Sequence, residues 1–95
     1  MPQKTLIDVA ENRVADYVLS QPEPCRRVEV QMSVVRTMRE FVEKRGEKNT
    51  DHFYHFLAEL AIEQAQDRGK IHCYHENDQW FCENPNKPEE VAPRF

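Results

Sequence analysis

Apolar positions along the chain fall into two rhythms, one helical and one alternating. Leu6, Ile7, Ala10, Val14, Tyr17 and Val18 recur at helical spacing and predict a first helix. Thr5 and Asp8 stand at capping-box distance, with Asp in place of the usual Glu, so the helix should open at Thr5. The stretch "SQPEP" at 20–24 should stop it, because proline cannot continue a helix and restricts the residue before it. "CRRVEVQM" at 25–32 alternates weakly around Val28 and Val30 and reads as a short edge strand or extended lead-in. Ser33 is then placed to cap a second helix with Val34, Val35, Met38, Phe41 and Val42 on its apolar face. Gly46 should end that helix.

Thr50 or Asn49 caps a third helix running to about Arg68, with Phe53, Phe56, Leu57, Leu60, Ala61 and Ala65 as its expected buried stripe and Gly69 as its stop. The rhythm then changes. Ile71 to His75 and Gln79 to Glu83 are β-prone runs around "END", where Asn77 and Asp78 suit the positive φ of a tight hairpin. With those two residues as the loop, Glu76 faces Gln79, His75 faces Trp80, Tyr74 faces Phe81 and Cys73 faces Cys82. Ile71, Cys73, His75, Trp80 and Cys82 then share one face, which is expected to pack inward, leaving His72 and Tyr74 outward for a partner. "NPNKPEEVAPRF" at 84–95 holds three prolines and little to bury, and reads as a flexible, solvated tail beyond a domain of residues 1–83.

The expected fold is therefore α+β: a small three-helix domain with a C-terminal β-hairpin. Helix, short strand, helix, helix and hairpin, closed by "LAELAIEQAQDRGKIHCYHENDQWFC", is an order that resembles the winged helix-turn-helix DNA-binding domain over about residues 5–83. The resemblance lies in the order of elements and not in a signature motif. It implies a winged-helix-like architecture, a hairpin acting as the wing, and a role in transcription regulation as a homodimer on double-stranded DNA.

Composition narrows the picture. A chain of 95 residues with 39% hydrophobic and 32% charged positions supports one modest core. The longest apolar run, "YVL", is far below the roughly 20 residues of a membrane span. The opening residues carry no apolar stretch of signal-peptide length, so a cytoplasmic location is expected. Three cysteines, an odd number, argue against a disulfide framework.

Net charge is −4, which disfavours indiscriminate nucleic-acid binding. The distribution is uneven: residues 25–48 carry +3 and the remainder −7. Candidate DNA contacts are accordingly Arg26, Arg27, Arg36, Arg39, Lys44, Arg45, Lys48 and, at the end of the third helix, Lys70, which could neutralise phosphates. A charged helix laced by local pairs, such as Arg36 with Glu40, is the plainer account of the same residues. The third helix shows histidine, glutamate and glutamine where major-groove readout needs donors, which counts against ordinary base recognition.

That helix supports the alternative, a protein-binding adaptor or inhibitor module that engages a basic partner through His52, His55 and Glu59, with His72 and Tyr74 of the hairpin. Cys73, His75 and Cys82, with Cys25 or a helical histidine, could supply zinc ligands, but C-x-H-x6-C lacks paired C-x2-C knuckles and no metal or cofactor is expected. No catalytic constellation is visible, and two glycines leave no phosphate loop, so an enzyme is not expected.

Overall fold

The computed structural model describes residues 5–85; the tail expected over 84–95 lies outside them from residue 86 onward. Six elements follow in order: α1 (Leu6–Leu19), β1 (Cys25–Arg26), α2 (Arg27–Lys44), α3 (Asp51–Asp67), β2 (His72–Glu76) and β3 (Gln79–Glu83). The fold is α+β, with three packed helices and a C-terminal hairpin in a three-stranded antiparallel sheet of order β1-β3-β2.

Local signals set the helix ends where the residues predict, except at the start of α2. The Thr5 hydroxyl accepts from the Asp8 amide at 3.1 Å, and the Asp8 carboxylate accepts from the Thr5 amide, completing the capping box. Thr50 caps α3 by accepting from the Phe53 amide at 3.1 Å. At the other ends, Gly46 and Gly69 take φ +82° and +76°. The amides of Glu47 and Lys70 then reach back to the carbonyls of Val42 and Ala65, so both helices stop in a Schellman motif.

The hairpin closes through Asn77 (φ 52°) and Asp78 (φ 64°), a type I′ turn with the predicted register from Glu76–Gln79 to Cys73–Cys82. β1 adds the pairs Cys25–Cys82 and Arg26–Phe81.

Three expectations change. The extended segment over 25–32 shrinks to Cys25–Arg26, and α2 begins at Arg27, so Ser33 lies inside the helix instead of capping it. The reason is tertiary: as part of a helix, Val30 falls in line with Val34, Met38 and Val42 and is fully buried. Ser33 is buried as well, and its hydroxyl accepts from Arg13 at 3.0 Å.

The buried face of α3 is also turned. Tyr54, Leu57, Ala58, Ala61, Ile62 and Ala65 go inside, while Phe56 stays 55% exposed and Leu60 half-buried. Two overlapping stripes satisfy the helical period. The alanines decide between them, because α3 packs against both α1 and α2 and small side chains let the helices approach.

Trp80, expected inward, is 51% exposed, and its strand partner His75 is exposed too. Inward-facing positions are covered only as far as the Cys73–Cys82 rung, where Ile71, Cys73, Cys82 and Cys25 join the helical core. One rung further out, the hairpin runs past what the helices cover.

Candidate recognition surfaces

The basic set does not form one patch. Arg39 pairs with Asp51 and lies over the Tyr54 ring, with 5.5 Å from guanidinium to ring centre. Lys70 stands 2.8 Å from the Glu11 carboxylate. The others, Arg36 excepted, sit towards the two ends of a helix about 27 Å long, taking 18 residues at ~1.5 Å each. Arg26 and Arg27 begin it, whereas Lys44, Arg45 and Lys48 lie exposed at its far end, with Arg45 over the Phe41 ring. Arg36 lies between, exposed beside Tyr17, Glu29 and Met32.

Glu11 is the charged residue that reading the sequence for sites overlooks. It is 1% exposed, and Gln64, Arg68 (3.0 Å) and Lys70 converge on its carboxylate. Burial alone would raise its pKa, but the hydrogen bonds from Lys70 and Gln64 and the charges of Lys70 and Arg68 outweigh that and hold it below the ordinary carboxylate value. Its position beside Ala10 and one turn from Val14, on the buried stripe of α1, is the signal that could have found it.

A shallow groove opens where the first turn of α2 faces β3. It is lined by Arg26, Arg27, Val28, Gln31, Gln79 and Trp80. Val28 is 56% exposed, because the helix that buries Val30 turns Val28 outward. The Trp80 ring is flanked by His75, with 5.1 Å between ring centres.

α3 presents a different surface. His52 and Glu59 are exposed, whereas His55 is half-buried, with its Nδ1 3.2 Å from the Gln31 side-chain amide of α2. Sequence spacing groups these three on one face of α3; His55 differs from the other two in being half-buried against α2. Beside them Leu6, Ile7, Phe53, Phe56, Leu57 and Leu60 line an almost wholly apolar trough between the start of α1 and α3. Glu59, Glu63 and Asp67 are exposed along the same helix, and no lysine or arginine interrupts them before Arg68.

On the outer face of the sheet, His72, Tyr74 and Phe81 stack with ring centres 5.9 and 5.6 Å apart. Partial burial, with Glu83 and Glu76 nearby, raises the Tyr74 hydroxyl pKa.

The cysteines lie in one row across the sheet, Cys25, Cys82 and Cys73, all buried and free. The Cys73 and Cys82 sulfurs are 3.3 Å apart, and the Cys25 thiol donates to the Cys82 carbonyl at 3.6 Å. The hydrogen bond with Cys73, together with burial, pushes the Cys82 thiol far up, and burial raises Cys25. Among the described residues no group of three or more His, Cys, Asp or Glu side chains has the geometry to hold a metal ion. No described helix is long and apolar enough to cross a membrane.

The arrangement defines a three-helix domain with a C-terminal hairpin, in an order consistent with winged-helix-like topology. Comparison with family models, curated proteins and solved structures finds no match.

Proposed function

We propose that this domain is a non-catalytic protein-recognition module that engages a basic, amphipathic segment of a partner through α3. The observation that carries the reading is the surface of that helix. An apolar trough with Phe56 half out of it adjoins a run of Glu59, Glu63 and Asp67 that no cation interrupts. Such a surface suits a helix whose leucine-type anchors enter the trough while its lysines or arginines meet the carboxylates.

The test is titration with a lysine- and leucine-rich amphipathic peptide. Binding should weaken with salt, and Glu59→Lys with Glu63→Lys should weaken it about tenfold, the scale of two lost rim attractions. No binding at low salt would remove the reading.

A second reading, a winged-helix-like DNA-binding regulator, is favoured by the sheet order β1-β3-β2 and by Arg26, Arg36, Lys44 and Lys48, which stand exposed with no ion pair among the described residues. Against it stand the acidic α3 and a hairpin tip of Glu76 and Asp78. A gel shift on duplex DNA that appears at low salt and is lost on Lys44→Glu and Lys48→Glu would establish this reading instead.

A further inference from the structure

We infer that the groove between the first turn of α2 and β3 is a second recognition site, and that its occupant is an acidic peptide segment carrying a bulky apolar side chain beside one or two carboxylates. The inference goes beyond the α3 reading and shares no residue with it.

The groove combines three chemistries. Trp80 and Val28 offer apolar surface, each about half exposed. An indole face left half open to water beside an exposed Val28 marks a place for another apolar group. Arg26 and Arg27 form the cationic edge, and among the described residues no carboxylate lines the groove. A guanidinium matches a carboxylate with two parallel N–H donors. Gln31 and Gln79 add side-chain amides able to meet a peptide backbone.

A carboxylate-bearing peptide fits better than a nucleic-acid strand because of what surrounds the cations. Glu29 lines the adjoining depression with Val28 and Met32, Glu23 and Glu29 border the other side of Arg26, and Glu76 and Asp78 cap the hairpin. A phosphate backbone repeats its charge along its length and would run onto these acids. One or two carboxylates need only the arginine pair.

Trp80 is the only tryptophan in the chain, so its emission reports on the groove directly. The full chain is titrated with a capped hexapeptide in which one glutamate stands on either side of a leucine–phenylalanine pair, with serine at each end. A saturable blue shift is expected, weakened by salt and absent with the lysine analogue. Arg26→Glu or Arg27→Glu should weaken binding by at least about tenfold, with the far-ultraviolet circular dichroism unchanged. If either reversal disturbs folding, Arg27→Lys, which keeps the charge but loses the fork, should still weaken binding while the fold stands.

The Glu59→Lys, Glu63→Lys variant should bind this peptide as the parent does, so failure at α3 and failure here are distinguishable. No shift at millimolar peptide, or a shift indifferent to the arginine reversals, overturns the inference. So does a shift given by single-stranded oligothymidylate and not by the peptide, which would assign the groove to nucleic acid.

Discussion

At the corner where α1 meets the end of α3, Arg68 and Lys70 are drawn onto the carboxylate of Glu11; at the start of α2, Arg26 and Arg27 line a groove that holds no carboxylate among the described residues. The residue types are alike and their roles are opposite. Glu11 has lost its water, so it depends on every donor that reaches it. Its cations keep 54% and 39% of their own exposure, so each still meets water while it serves the carboxylate. The groove arginines have no buried anion to satisfy and so remain available to one arriving from outside. A cation counted from the sequence says nothing about which of these it is.

The strongest way to break the comparison is to remove the anion. Glu11→Ala should destabilise the domain by about 2–3 kcal/mol, less than the ~3–5 for breaking a fully buried pair, because Arg68 and Lys70 can return to water. At about 4–8 °C per kcal/mol for a domain of this size, the melting temperature falls by roughly 10–20 °C, measurable by circular dichroism. A change under about 0.5 kcal/mol would show that the corner is not held by charge.

Acid gives a smaller version of the same effect. The Glu11 pKa is lowered in the fold, so its contribution is present above the ordinary glutamate value of about 4.5 and is lost as pH falls through the folded value. Glu11→Gln should therefore be less stable than the parent at neutral pH, and the gap should close on acidification. A gap independent of pH would contradict the assignment.

The smallest effect belongs to the groove. Arg26→Ala and Arg27→Ala should each leave stability within about 0.5 kcal/mol, since among the described residues neither cation pairs with a carboxylate. A larger loss from either would mean that the groove, too, has a structural duty.

The same contrast explains what could be read in advance. Caps and turns were legible because their causes lie within a few residues: Thr5 with Asp8, Thr50, Gly46, Gly69 and the Asn77–Asp78 turn, which also carries the hairpin register. The start of α2 and the rotation of α3 were not, because the deciding partners are on other helices. Val30 joins a core that its alternation with Val28 conceals, and Ala58 and Ile62 outrank Phe56 and Leu60 only once α1 and α2 press on α3.

Trp80 misleads for a related reason. Its face on the strand is the predicted one, but no helix reaches far enough to cover it. The pairings Arg39–Asp51 and Lys70–Glu11 link residues on different elements, so the sequence alone could not divide the basic set into occupied and open members.

The Glu11 corner also bears on the order of assembly. Glu11 and Arg68 are separated by 57 positions, so the carboxylate is enclosed only when the first helix meets the last helical turn. Closing so long a span is slow compared with forming the helices or the two-residue hairpin loop. The corner should then be the final part to set and the first to open. In stopped-flow experiments Glu11→Gln should accelerate unfolding while leaving the refolding rate nearly unchanged.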